Sequence, residues 1–434
     1  MRHLFLGALL AGAPVLMMAQ NIGFEALVKA TRERSPLLQK EALQVDLAHE
    51  AVVQAKSVYY PTLRLGLNAE YSKKFRENST STYVGEESLT QATRYQNSAT
   101  LSLSYDVFRF GAKGQGVQAA LAKVDTALAR QCLAEKELLL RLLSVYHQLR
   151  LSQLKHHYHK VLSGHYAALY QATKRLHASG FLVQTEVMHY AKKVADAVVE
   201  HETIKEEHEK LLAEATYISG VFLDTSAQFL PLERLNEPFV LPTFEESFQA
   251  KQLLASIREK EAELRIAKTK TLPAVSFYGK YDLYGQDVEE YGRSVDTFRR
   301  NGYRVGLSFS WNLFDGFAKE SAIATRLLEL QQARLGLEEA KREFTKEWTL
   351  LKSQQDHYKA AHHAAKDAQH AAATLAGMGE KLHQNGEVDK MTALQHAILE
   401  TEATRNAEET QEKYTFKVYE EALRAQKEFQ CVAP

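Results

Sequence analysis

The chain repeats itself, and that repeat limits what it can fold into more than any other feature. Ser104-Tyr105-Asp106-Val107-Phe108 returns as Ser310-Trp311-Asn312-Leu313-Phe314, 206 positions later (310 − 104). Arg175-Leu176-His177-Ala178-Ser179-Gly180 returns as Lys381-Leu382-His383-Gln384-Asn385-Gly386 at the same offset (386 − 180). Tyr60-Pro61-Thr62-Leu63 pairs with Leu272-Pro273-Ala274-Val275 at 212 (273 − 61), which puts the extra residues in a longer loop of the first copy. A period of this length describes two large units rather than a solenoid of short repeats.

Within each copy the hydrophobic period changes from two to about 3.6. Leu63, Leu65, Leu67, Ala69 and Tyr71 alternate with polar or small residues, as do Ala99, Leu101, Leu103, Tyr105 and Val107. Val275, Phe277, Tyr281 and Leu283, then Val305, Leu307, Phe309, Trp311 and Leu313, repeat the pattern. The alternation predicts strands at about 61–74 and 97–110, then 273–285 and 302–314, each pair a two-faced hairpin with a long polar loop. From Val117 to about Ala178 there is no proline and one glycine, Gly164, and the apolar residues recur at three and four. About 60 residues at ~1.5 Å each predict a helix on the order of 90 Å long, beyond any compact domain. Helical hairpins follow at about 117–219 and 322–426, with Gly180 and Gly386 at their turns and shorter helices before each pair of strands. The organisation is therefore a first repeat over 20–235 and a second over 236–434, and the fold class is mainly α with transmembrane β.

Residues 1–19 differ from the rest: Arg2 and His3, an apolar run from Leu4 to Met18, then the small Ala19. This reads as a cleaved secretory signal, with a buried N-terminal helix as the alternative. No later stretch is long and apolar enough for a membrane helix, so a membrane would be met through strands. Charge is balanced at 54 basic and 54 acidic residues, which gives no reason to expect a nucleic-acid partner. Cys132 and Cys431 are the two cysteines, far apart and without a framework. They read as a small helix residue and a tail residue rather than a bridge.

Four amphipathic strands cannot close a barrel, which takes about eight at the least, and open edges in lipid leave backbone groups unsatisfied. Other copies must complete the sheet, and three chains would supply twelve strands around a water-filled lumen.

This order of elements, duplicated, resembles the TolC family of outer-membrane efflux and secretion channels. The resemblance is carried by Trp311-Asn312-Leu313-Phe314-Asp315-Gly316-Phe317, more weakly by Tyr105-Asp106-Val107-Phe108-Arg109-Phe110-Gly111, and by the tips Gly180-Phe181-Leu182-Val183-Gln184-Thr185-Glu186-Val187 and Gly386-Glu387-Val388-Asp389. It covers essentially the whole mature chain. It implies a homotrimer with a twelve-stranded barrel in the outer membrane of a Gram-negative-type cell and a helical tunnel in the periplasm. Its tip would dock a periplasmic adaptor (membrane fusion) protein joined to an inner-membrane pump or ABC transporter. With no phosphate loop and no carboxylate relay in a membrane helix, the chain would be a passive duct, not an enzyme, needing no cofactor or metal.

The resemblance also implies that the tips form the periplasmic entrance. Thr185 and Glu186 hold that place in the first copy, while the family's two aspartate positions fall on Thr392 and Gln395 in the second. Glu387 and Asp389 lie nearby and would supply a carboxylate ring; the alternative is that they are helix-N-terminal acids favoured by the dipole. Adaptor docking is assigned to Arg175, Leu176, Gly180, Leu182, Lys381, Leu382, Gly386 and Val388, although the two glycines would also be needed simply to end a helix.

Other signals carry less. Gly114-Gln115-Gly116 mimics a dinucleotide fingerprint, but the helix after it is too long for a βαβ unit, and its glycines read as the turn from strand to helix. His156, His157 and His159, and His357, His362, His363 and His370, read as surface histidines rather than metal ligands. His201-Glu202 has Lys205 where a zinc hydrolase needs histidine. Hairpin aromatics, among them Tyr59, Tyr60, Tyr71, Phe277, Tyr278, Tyr281, Tyr303, Phe309 and Trp311, read as interfacial girdles, with packing in a soluble sandwich as the alternative. The reading is an exit duct of a tripartite efflux or type I secretion system; the alternative is a periplasmic coiled-coil structural protein without a pore.

Overall fold

The computed structural model describes residues 21–72, 95–233, 235, 243–287, 289–298 and 300–425. The signal segment, the first hairpin's loop from Lys73 and Cys431 lie outside these. The chain forms two compact units, each drawn from both halves of the sequence: residues 1–43, 129–250 and 339–434 in one, 44–128 and 251–338 in the other.

The chain opens with β1 (Asn21–Ile22), α1 (Phe24–Arg34) and α2 (Pro36–Ser57). α1 ends where the Ser35 amide bonds the Thr31 carbonyl at 3.0 Å, and Pro36 starts α2 at the position where a missing N–H costs nothing. Two strands follow, β2 (Thr62–Tyr71) and β3 (Tyr95–Phe108), then α3 (Ala112–Ala178) and α4 (Gln184–Ser219). The linking segment carries β4 (Gln228–Phe229) and a 3-10 turn (Phe244–Glu246). The second series is α5 (Phe248–Thr269), β5 (Ala274–Asp287), α6 (Tyr291–Asp296), β6 (Arg300–Ser310), α7 (Ala318–Gln384) and α8 (Lys390–Ala425). α3 and α7 have 67 residues each, and α4 and α8 have 36 each.

Several boundaries differ from those expected. Both long helices start earlier than 117 and 322, so Gly114 and Gly116 lie inside α3 and do not form the turn. That turn lies at Phe110 (φ 45°) and Gly111 (φ 82°), matched 206 positions on by Gly316 (φ 70°) and Phe317 (φ 68°). Each copy uses two consecutive left-handed residues, one glycine and one phenylalanine, in opposite order. A phenylalanine there is strained, because its Cβ crowds the backbone at positive φ. The polar stretch of the second hairpin holds α6, which hydrophobic periodicity did not show because six residues are too few to display it.

In the first unit the core lies where α1, α3 and α4 meet around the parallel β1–β4 bridge. Phe24 and Leu27 pack on Leu139, Leu142, Leu143, Tyr146 and Leu149 of α3 and on Leu212, Ala215 and Ile218 of α4. Leu142, Leu143 and Leu149 are completely buried, each contributing about 1.5–3 kcal/mol relative to exposure. Arg150 joins three segments, donating to the Phe229 carbonyl at 2.7 Å and to Glu412 of α8 at 2.7 Å. Cys132, also in this unit, is disulfide-bonded, which corrects the expectation of a plain helix residue. A single cysteine within a long helix offers no spacing from which a bridge could be read, although an exported chain meets an oxidising compartment.

The second unit holds the antiparallel sheet, in the order β2-β3-β5-β6. Its register keeps like with like: Leu65, Leu101, Tyr281 and Tyr303 stand in one row, and Gly66, Thr100, Asp282 and Gly302 in the adjacent row, which points to the other face. On the polar face Asp282 accepts from Thr100 at 2.7 Å and from Arg304 at 3.1 Å, and pairs with Lys280 at 3.1 Å. In the same unit α2 packs on α3 through Val52, Ala120 and Val124. Ion pairs stitch α3, α5 and α7, among them Lys123–Glu259, Arg258–Asp125 and Lys260–Glu329.

Candidate functional site

The residues assigned to the entrance and to docking all lie in the first unit, at the turns α3–α4 and α7–α8. Both turns are built the same way. At the first, the Phe181 amide bonds the Leu176 carbonyl at 2.9 Å and the Gly180 amide bonds the His177 carbonyl at 2.9 Å. At the second, Glu387 reaches Leu382 at 2.8 Å and Gly386 reaches His383 at 3.0 Å. These are paired Schellman bonds, which require a left-handed residue just after the helix. Gly180 (φ 78°) and Gly386 (φ 79°) supply it. A Cβ on either glycine would meet nothing within 4 Å, so backbone conformation, not space, requires glycine here. The glycines therefore do end the helices; Arg175 and Lys381 contribute carbonyls to the same caps, accepting from Ser179 and Asn385.

An imidazole reinforces each cap. His177 Nδ1 lies 2.8 Å from the Leu182 carbonyl oxygen, and His383 Nδ1 lies 3.1 Å from that of Val388. The two histidines and the two carbonyls are each 206 positions apart, so a single clasp occurs twice. The sequence motif that revealed the repeat contains both histidines, yet nothing in it showed that their rings fold back onto the turn.

The return helices begin differently. Val183 stands at the N-cap of α4 with no side-chain cap bond. Its counterpart Asp389 precedes α8 and accepts from the Thr392 amide at 2.9 Å and from the Thr392 hydroxyl. These two bonds hold the Asp389 carboxyl below the usual carboxylate range. Asp389 and Thr392 thus form one capping pair. Phe181 and Val183 of the first tip are exposed apolar residues, where the second tip has Glu387 and Asp389. Thr185, Glu186 and Glu387 are exposed, while Leu176, Leu182 and Val388 are half-buried.

A hydrogen bond joins the two helical hairpins at this level. Gln395 Nε2 donates to the Tyr190 hydroxyl at 3.1 Å, from α8 to α4. Tyr190 is buried with Leu162, Leu169 and Ile398, and Tyr166, Met391 and Leu394 pack around them. Close to it, Gly379 faces His396: a Cβ on Gly379 would overlap the imidazole, so glycine lets α7 and α8 approach. Sequence reasoning missed Tyr190, which lies on an ordinary amphipathic face. Among the described residues no group of three or more His, Cys, Asp or Glu is arranged to hold a metal ion. No helix among them is long and apolar enough to cross a membrane.

Residues 27–207 match the model of the outer membrane efflux protein family. Beyond that segment the likeness is one of fold, and it extends over nearly the whole chain: the solved structures that share it are outer-membrane channels. VceC of Vibrio cholerae superposes with a TM-score of 0.73 at 15% identity, covering 93% of this chain and 95% of VceC. CmeC of Campylobacter jejuni gives 0.77 at 13% identity, covering 93% and 85%. The open state of MtrE from Neisseria gonorrhoeae gives 0.74 at 14% identity, covering 93% and 88%. No curated protein sequence matches the chain significantly.

Proposed function

We propose that the chain is the outer-membrane exit duct of a tripartite efflux or type I secretion assembly, working as a homotrimer whose barrel has twelve strands. The observation that carries this is the sheet: apolar on one face, polar on the other, with β2 and β6 unpaired on their outer sides among the described residues. An open edge in lipid leaves backbone N–H and C=O groups without partners, and pairing β6 of one copy with β2 of the next removes the deficit. Exposed aliphatics on the helices support the same association: Leu43, Leu47, Leu328 and Leu335 are each at least 60% exposed in the single chain. The two series of equal-length elements read as a duplication, and a trimer would then present six similar turns at the periplasmic end. There an adaptor would dock on Arg175, Leu176, Gly180, Leu182, Lys381, Leu382, Gly386 and Val388, passing on cargo energised by an inner-membrane transporter. Thr185, Glu186, Glu387, Asp389, Thr392 and Gln395 would line or brace the entrance. The test is the mass of the assembly extracted in mild detergent, together with its conductance in a planar bilayer. Three chains and a conducting pore are expected; a stable, non-conducting monomer would overturn the proposal.

A further inference from the structure

The polar connection of the second hairpin folds back as α6, and every contact places it on the apolar face of the sheet. Gly285 points to the same side as Leu283 and Tyr281, and a Cβ there would overlap the Ser294 carbonyl oxygen, so α6 lies directly on that backbone. Asn97, level with Gly285 on the neighbouring strand, donates to the Ser294 hydroxyl at 2.6 Å, and Ser294 is fully buried. One row further out, Tyr95 meets Tyr291 at 6.2 Å and Tyr71 at 5.0 Å between ring centres. α6 is polar and self-satisfied. Asp287 accepts from the Glu289 and Glu290 amides at 2.8 Å each, and Arg293 pairs with Glu289 and Glu290.

A charged turn cannot lie in hydrocarbon, yet this one covers the face that would meet lipid. The hydrocarbon must therefore stop just short of it. Five apolar rows remain below α6, from Leu67, Ala99 and Leu283 down to Val275 and Phe309. Four steps of two residues at ~3.3 Å make about 27 Å along the strand, or about 20 Å across a bilayer at a tilt near 40°, close to the ~25 Å apolar band of such barrels.

We propose that α6, with Tyr71, Tyr95 and Tyr291, is a headgroup-level anchor: it packs against the polar zone of the outer leaflet and fixes how deep the sheet sits. This rests on the sheet being a barrel wall, so the experiment separates the two. In a Trp311→Phe, Trp348→Phe background, single tryptophans are placed by Val305→Trp in the band and by Val295→Trp on α6. The protein is then reconstituted in phosphatidylcholine vesicles carrying either bromines deep in the acyl chain or a nitroxide on the headgroup. Val305→Trp should be quenched several-fold more by the acyl bromines, and Val295→Trp several-fold more by the headgroup nitroxide. If Val305→Trp is not quenched, the barrel reading itself fails and the anchor with it. If it is quenched but Val295→Trp responds to neither label, or to the acyl bromines alone, the anchor alone is refuted. Adding Gly285→Val, which removes the seat of α6, should lower headgroup quenching of Val295→Trp at least twofold; unchanged quenching would overturn the seating.

Discussion

Tyr190→Phe isolates a polar contact between the two hairpins near the tips proposed as the entrance. The ring is 9% exposed and packs with Leu162, Leu169 and Ile398, so phenylalanine keeps the apolar contacts and loses only the hydroxyl. The lost bond is the one from Gln395 at 3.1 Å. A neutral hydrogen bond contributes roughly 0.5–1.5 kcal/mol net, and the exposed Gln395 amide can turn to water, which holds the cost to about 1 kcal/mol per chain. If, as proposed, the chain works as a trimer whose entrance opens by parting these hairpins, the three bonds amount to about 3 kcal/mol, and losing them would raise the open population on the order of a hundredfold. By contrast Ile398→Ala removes packing, costs roughly 2–5 kcal/mol, and should lower the melting temperature as well. The assay is open probability in planar bilayers at neutral pH, with melting in detergent as control. Tyr190→Phe and Gln395→Ala should raise opening alike, with melting nearly unchanged, and the double variant should add little to either. If the two single effects simply add, the residues do not act through a shared bond and the reasoning fails.

Three further outcomes follow from particular contacts. His177→Ala removes the imidazole that holds the Leu182 carbonyl, and should speed amide exchange at Phe181 and Leu182 several-fold while leaving the core of the first unit unchanged. His147 stacks on Phe416 at 4.4 Å, and burial, with Lys413 and Lys417 nearby, lowers its pKa to about 4. Folding keeps this ring neutral while the unfolded chain protonates it near 6.5, so its contribution is complete above that pH. That contribution falls away between about 6.5 and 4, by about 3 kcal/mol in all, and His147→Phe should flatten the acid side of the melting profile. Cys132 is disulfide-bonded, so a thiol-reactive polymer should leave the denatured protein unmodified until a reductant is added.

Elements whose pattern persists were legible in the sequence. Sixty-seven-residue helices and alternating strands of ten or more residues announce themselves through period alone, and the 206-residue offset by itself located both turns. What stayed hidden depends on contacts between distant residues or on very short elements. Tyr190 and Gln395 are 205 positions apart, and nothing local to either marks the partner. α6 is a single turn and a half, recognisable only because Gly285 makes room beneath it. The glycines at 114 and 116 misled for a physical reason: glycine is tolerated inside a long helix held by packing, so its presence alone does not place a turn. The left-handed residues that make the turn are Phe110 and Gly111, and a phenylalanine at positive φ is not read from sequence.

The tips share a backbone and differ in chemistry, and this decides which acids should sense cations. Asp389 carries a carboxylate that already caps α8 and accepts from the Thr392 hydroxyl, so both its charge and its geometry serve the turn. Its counterpart in the first tip is Val183, and Gln395 contributes no charge at all. Glu186 and Glu387 are exposed and sit on opposite members of the pair, one per hairpin. In a trimer each would form a ring of three like charges, and a ring of carboxylates attracts divalent cations where a capped acid does not. Glu186→Gln and Glu387→Gln should therefore each weaken block of conductance by magnesium, by about tenfold in half-blocking concentration if a carboxylate contributes roughly 1.4 kcal/mol. Asp389→Asn should leave that block nearly unchanged, since asparagine caps a helix almost as well as aspartate. Block abolished by Asp389→Asn but untouched by the two glutamate variants would assign the cation site to the second tip's cap and refute this division of roles.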